Sequence, residues 1–351
     1  MRSSEGFDAI AFLGPLSGTE LYLRFYAQEA AAFGSRLPEE IKQDIAKLWN
    51  AAGEQGFGLL GPNLSVLLSA NGNDATLDTV LAALEEREAR IRPSYESSPY
   101  WKEQDWRWFD GAAPRLHRIF TAMRDAGFAS FRAERTGPEL QERQARLQFA
   151  LNGFDVITWQ EKLTGRSFDP TIEIVLLEFS KPHGIKVQGQ TFLQAADYDV
   201  ATTVRIAAHE MLHPPVPMDG AAATAALAVL ERDALITRIV RDHDPRFGYT
   251  SLDGLLNEDL TQALDQLISE ALGVARNPVD RWRKSDDGMH VLAGAFYGLL
   301  RQDRWVETGG SIETWLAQAV ARGRLAPAVM YPMAARVLER PVDKLWPLPT
   351  T

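Results

Sequence analysis

The stretch that decides the reading of this chain is Ala207-Ala208-His209-Glu210-Met211-Leu212-His213-Pro214-Pro215. On a helix, residues four apart lie one turn above each other, so both imidazoles can reach one ion from a single face while Glu210 stands beside them. This is the H-E-x-x-H zinc pattern. Two neutral nitrogen donors grip Zn2+, and the carboxylate next to the first accepts a proton from the attacking water. The flanks suit a helix: Asp197 or Asp199 can cap its start, Ala201, Ala207 and Ala208 favour it, and Pro214-Pro215 stop it after the second histidine. The competing reading is a core helix that carries two incidental histidines.

Composition narrows what surrounds this helix. With 351 residues, 45% hydrophobic and 24% charged, the chain has material for one large globular domain or two ordinary ones. A net charge of −10 opposes binding to a phosphate backbone, so nucleic acid is not an expected partner. There is no cysteine, which removes thiolate ligands, iron–sulfur clusters and a Cys nucleophile together; a metal here must be held by His and carboxylate. No apolar run reaches membrane-spanning length. Residues 7–13 are too short, and interrupted by Asp8, for a signal peptide of the usual form.

Helical spacing dominates both sides of the motif. Helices are expected over residues 19–33, 38–52, 76–90, 114–126 and 138–151, then over 221–240, 252–272, 311–322 and 326–338. Strands are expected at 64–69, 171–179 and 185–193, the last two forming a hairpin or small sheet that feeds the histidine helix. Such a sheet can offer an edge strand to an extended peptide, a role that falls on 185–193. Residues 93–111 hold Tyr95, Tyr100, Trp101, Trp106, Trp108 and Phe109 without a clear period. They read better as a connection pinned to the core by its rings than as an aromatic platform for a ligand. A boundary, where one exists, falls near 164–170, dividing a helical region 1–165 from a catalytic domain 166–351.

A catalytic zinc takes three protein ligands and leaves a position for water. Three acids compete for the third place. Glu258 lies in Leu255-Leu256-Asn257-Glu258-Asp259-Leu260-Thr261, nearly opposite the leucine stripe of its helix, which also suits a solvated glutamate. Glu270 is embedded in Leu267-Ile268-Ser269-Glu270-Ala271-Leu272, where a carboxylate wants a partner. Asp219 sits six residues after His213, at the metzincin third-ligand position, and Val329-Met330-Tyr331-Pro332 then looks like a Met-turn; Val216, however, stands where that pattern needs glycine.

The pair formed by His209-Glu210-Met211-Leu212-His213 and Leu256-Asn257-Glu258-Asp259-Leu260-Thr261 resembles the gluzincin zinc metallopeptidases, in an uncharacterised bacterial branch. The resemblance covers these two segments and the strand-then-helix order from Thr171 onward. It departs from the pattern in the long interval between His213 and Glu258 and at Gln262, where some members carry a supporting acid. The resemblance implies a zincin-like α+β fold, predominantly helical, with a small sheet beside the histidine helix. It also implies one Zn2+ per chain on His209, His213 and Glu258, Glu210 as general base, and a peptide or protein substrate. A periplasmic or secreted location after removal of a leader would follow from it, with the cytoplasm as the alternative.

Downstream groups able to stabilise an oxyanion are His290, Tyr297 and Tyr331. Arg205, one turn before His209, can anchor a carboxylate or form a structural ion pair. His117, His183 and His243 read as surface or hydrogen-bonded histidines. Two other functions compete: a non-catalytic binding protein with a vestigial metal site, and hydrolysis of a non-peptide amide.

Overall fold

Strand pairing ties the first residues of the chain to its middle. Arg2–Ser3 (β1), Glu173–Leu177 (β2), Ile185–Lys186 (β3) and Thr191–Ala195 (β4) form one sheet in the order β1-β2-β4-β3. β2 runs parallel to both β1 and β4, with Val175 opposite Arg2 on one side and Leu193 on the other; β3 is antiparallel to β4. The computed structural model describes residues 1–54, 64, 73–98, 101–137 and 139–347. These divide into two compact units, 1–150 with 171–199 and 151–170 with 200–351.

The first unit packs helices against the sheet. Glu5–Leu16, Glu20–Gly34, Glu39–Glu54, Leu77–Glu85, Glu103–Asp125 and Phe128–Thr136 bury a shared core. At its centre Phe12 meets Phe179 with ring centroids 4.4 Å apart, and Phe33, Phe128 and Phe131 close around them. Asp8 is fully buried beside this cluster and accepts hydrogen bonds from the backbone N–H of Glu178 (2.6 Å) and Phe179 (3.1 Å) and from Arg132 Nε (2.5 Å). One carboxylate therefore joins an N-terminal helix, the end of β2 and the helix Phe128–Thr136.

The second unit is built around the helix Leu252–Ala271, which carries Glu258. Leu255, Leu256, Leu260, Leu264, Leu267 and Ile268 are buried on it, but so are Glu258, Asp259, Gln262, Asp265 and Gln266. A helix enclosed on all sides cannot leave its polar face to water. The helices Val200–Glu210, Ala221–Leu230, Val291–Gln302 and Val156–Thr164 pack on it. Val291–Gln302 lies closest to Pro327–Leu338 at Gly298, where an added Cβ would stand 2.5 Å from the Met333 side chain.

The chain is thus predominantly helical with a small sheet, as expected, and several boundaries move. The expected strand 185–193 is two strands, because Gly189 (φ +58°) turns the chain between them and Val187 N–H bonds Thr191 O at 3.0 Å. Residues 221–240 form two helices, Ala221–Leu230 and Ala234–Asp242, parted where Asp233 caps the N–H groups of Leu235 and Ile236. The helix expected from 114 begins at Glu103, so Pro114 lies inside it, and Trp106 and Phe109 are buried in the core with Tyr95. Tyr95, Trp106 and Phe109 thus reach the core, as the bland reading held, but from helices rather than from a connection, and Trp101 and Trp108 are only partly buried. Of the expected strand 64–69, all but Leu64, which is helical, lies outside the described residues, as does Tyr100. The two compact units part the chain elsewhere than at the expected boundary of 165/166. Residues 171–199 join the first unit because their strands pair with β1, and 151–170 join the second because Gln160 and Arg166 bind the end of the histidine helix.

Asp8→Ala is expected to destabilise the first unit by about 2–4 kcal/mol, since it leaves the partly buried Arg132 guanidinium without its carboxylate and two backbone donors unpaired. Chemical denaturation followed by circular dichroism measures the loss; a change within about 0.5 kcal/mol, the surface-substitution range, would show that Asp8 does not hold these elements together.

Candidate metal centre

The histidine helix, Val200–Glu210, ends sooner than its sequence suggested. Its last turn tightens: Leu212 N–H bonds His209 O at 3.0 Å, an i to i+3 step, while Met211 N–H still reaches Ala207 O at 3.3 Å. The carbonyls left over at a helix end need donors. Gln160 Nε2 donates to Ala207 O and Ala208 O, both at 3.2 Å, and Arg166 donates to Pro214 O at 2.8 Å and Leu212 O at 3.4 Å. His213 therefore sits on a pinned turn rather than on regular helix.

The spacing still brings the two imidazoles together. His209 Nε2 and His213 Nε2 are 3.0 Å apart, and Glu258 reaches them from the facing helix, with Oε1 3.6 Å from His209 Nε2 and Oε2 3.4 Å from His213 Nε2. Among the described residues these three form the group able to hold a metal ion. Ligands about 2.0–2.1 Å from a tetrahedral ion are separated by about 3.3 Å, the middle of this range. The donor set, two imidazole nitrogens and a carboxylate, also suits Zn2+. The outer nitrogens are already engaged: His209 Nδ1 lies 2.6 Å from Asp265 Oδ2, and His213 Nδ1 lies 3.1 Å from Asn257 Oδ1. Both Nδ1 atoms thus face oxygen acceptors, which leaves each Nε2 to the shared centre.

The surroundings of Glu258 are built from charge. Arg281 pairs bidentately with Asp265, one contact measuring 2.8 Å. His290, fully buried, sits between Asp259 Oδ1 (2.6 Å) and Asp286 Oδ2 (3.0 Å). Gln262 Nε2 donates to Glu258 Oε1 at 2.8 Å. Burial by itself would disfavour charge at Glu258, but His209 and His213 outweigh it and hold this carboxyl well below the usual range. Burial likewise works against charge on His209, yet Glu258 and Asp265 push it up to about 9. Asp259 and Asp286 overcome the same opposition at His290 and raise it to about 10. The centre therefore gathers carboxylates that stabilise positive charge among them.

The candidate residues sort clearly. His209, His213 and Glu258 converge, and Glu210 acts on His209 as a nearby negative charge. Glu258 is 5% exposed, so the solvated reading of its helix face fails because a second shell of helices covers that face. Glu270 is engaged elsewhere, accepting from Tyr297 Oη at 2.6 Å and pairing with Arg301 at 3.0 Å. The Tyr297 hydroxyl, a candidate oxyanion donor, is bound to Glu270. Asp219 is exposed and outside the group, and Val329-Met330-Tyr331-Pro332 lies within the helix Pro327–Leu338 rather than in a turn. The Tyr331 hydroxyl there bonds Asp233. His290 backs the centre from behind Gln262 (Nε2 to Nε2, 3.2 Å). Arg205 binds Val274 O and Thr202. His117 meets Glu85, His183 meets Tyr22, and His243 reaches the carbonyls of Ile239 and Gly248.

Asp265, Arg281, Trp282 and Tyr249 escaped the sequence reading. Tyr249 hydrogen-bonds Glu258, and its ring lies edge-on to His290 at 5.7 Å. Burial, and then the carboxylates of Glu258, Asp286 and Glu210, raise its hydroxyl well above the usual tyrosine range and keep it protonated. Its φ of +57° is uncommon for a bulky side chain. The only trace in sequence is the preceding Gly248, itself left-handed (φ +83°) and held by His243 Nε2 at 2.6 Å.

No protein-family model matches this chain, and comparisons with curated proteins and with solved structures return no significant match.

The raised histidines set a pH dependence for the metal-free protein. A folded-state pKa above the unfolded value of 6.5 contributes stability that is fully present below pH 6.5 and is lost as pH rises through about 9 for His209 and about 10 for His290. The denaturation midpoint should therefore fall between pH 6.5 and 10, and the fall should shrink in His290→Gln. A flat profile across that window would mean that the two imidazoles are neutral in the metal-free fold.

Proposed function

We propose that this chain is a zinc-dependent peptidase of gluzincin type, with a zincin-like catalytic unit. The observation that carries the reading is the convergence of His209 Nε2, His213 Nε2 and the Glu258 carboxylate, with both outer histidine nitrogens already held by Asp265 and Asn257. His209, His213 and Glu258 are the residues that would hold zinc. Bound there, the ion supplies a Lewis acid that polarises the scissile carbonyl and acidifies water.

The chain's own residues supply the remaining chemistry. Glu210, adjacent to the first histidine, accepts the proton of the attacking water and passes it to the leaving amine. Tyr249, kept protonated, donates to the oxyanion that develops on the carbonyl oxygen. Asp265 fixes His209 as an Nδ1–H donor and Arg281 fixes Asp265, so the ligand cannot rotate away when the proton leaves Nε2. The side chains of His209 and His213 remain 20% and 13% exposed, which is compatible with access from solvent.

Elemental mass spectrometry of the purified chain should find about one zinc per molecule, lost in Glu258→Ala and retained in Glu210→Gln. Against peptide substrates, Glu210→Gln should lower kcat by about 10²–10⁴-fold and Tyr249→Phe by about 10²–10³-fold, with zinc content unchanged in both. Activity confined to amides that lack amino-acid side chains would assign a non-peptide amidohydrolase. Absence of zinc after reconstitution, with the fold intact, would reject the enzyme.

A further inference from the structure

Gln262 lies one turn beyond Glu258 on the same helix and is 7% exposed. Its amide is not free to flip. The Trp282 indole N–H, which can only donate, stands 2.7 Å from Gln262 Oε1, so the amide oxygen faces Trp282 and the NH2 group faces the centre. Nε2 then donates to Glu258 Oε1 at 2.8 Å. Trp282 is itself fixed: it is 1% exposed, with the Tyr297 ring edge-on at 5.4 Å and the Arg281 guanidinium 5.7 Å from its ring. The other oxygen of Glu258, Oε2, is the one 3.4 Å from His213 Nε2, while Oε1 also stands 3.6 Å from His209 Nε2 and the Tyr249 hydroxyl shares the carboxylate.

We propose that Trp282 and Gln262 are positioning residues that restrict Glu258 to a single ligating oxygen: the amide occupies Oε1 and leaves Oε2 to complete the site with His209 and His213. The inference rests on the zinc-binding reading above. A carboxylate that used both oxygens would fill the coordination position which water and the substrate carbonyl require. A hydrogen bond from a fixed donor withdraws one oxygen and sets the plane of the other. Only a donor can do this. An acid at position 262 would be acceptor-only when ionised, and an aliphatic residue would remove the donor that holds Oε1. The indole is the element that makes the amide's direction definite, because it has no lone pair to offer the NH2 group.

The test uses the full chain loaded with Zn2+ or with Co2+, comparing the parent with Gln262→Leu and Trp282→Phe. Zinc affinity is read by competition with a chromophoric chelator, and coordination number by the visible absorption of the cobalt form. The parent should show the intense bands of four-coordinate cobalt. Gln262→Leu should bind zinc about 10–100-fold more weakly and show weaker, five-coordinate bands, as the released carboxylate contributes both oxygens. Trp282→Phe keeps a ring in the core and removes the N–H donor along with some packing; it should move both readouts in the same direction, and it carries the test where Gln262→Leu does not fold. Variants that bind zinc within twofold of the parent with an unchanged cobalt spectrum would overturn the positioning role and leave the zinc site standing. A five-coordinate parent would do the same. A folded parent that binds neither ion would overturn both readings.

Discussion

A buried carboxylate is stable only where something positive or donating meets it. The helix Leu252–Ala271 places Glu258, Asp259 and Asp265 at 5%, 0% and 2% exposure, and removing one partner from such a group costs several kcal/mol. Each acid therefore fixes a neighbour. Asp265 holds Arg281 from the helix Pro278–Lys284 and His209 from Val200–Glu210; Asp259 holds His290 and the N–H of Ala293 at the start of Val291–Gln302. Much of the second unit is arranged to satisfy three side chains of one helix.

The same device organises the first unit with a different result. Asp8 is equally buried, but its partners are an arginine and two backbone N–H groups, so its needs are met within the protein. Burial pushes its carboxyl up to about 6 even against the attraction of Arg132, the expected balance for a structural carboxylate. Glu258 differs in kind. Its closest ring partners are two imidazoles, which meet one another as well as the carboxylate. Two imidazole nitrogens and a carboxylate form a group that could hold a metal ion, whereas an Arg–Asp pair is already complete.

Around that centre the polar groups form layers with a definite direction of donation. Trp282 donates to Gln262 and Gln262 to Glu258, while Arg281 donates to Asp265, which receives His209. In a low-dielectric interior such chains fix orientation more firmly than their separate bonds would, and the left-handed backbone of Tyr249 is the kind of local strain that a rigid surround can sustain.

The sequence by itself determined the elements whose information is local. The histidine pair four residues apart, the two prolines that follow it and the leucine repeat of 252–272 needed no tertiary knowledge, because helix periodicity and chain termination act over one or two turns. Glu258 could be named but not placed: its helical phase pointed away from the leucines, and only the helices packed on that face decided that it is buried. Asp265 as the partner of His209 and Tyr249 at the centre lie 56 and 9 residues from the atoms they serve, at a spacing or in a backbone conformation that no pattern marks, whereas Gln262 sits one helical turn from Glu258 and only the fold shows that its amide donates to it. The parting of the strands from the histidine helix had the same origin. β-pairing couples residues more than 170 positions apart, and such register is set by which surfaces meet rather than by the segments themselves.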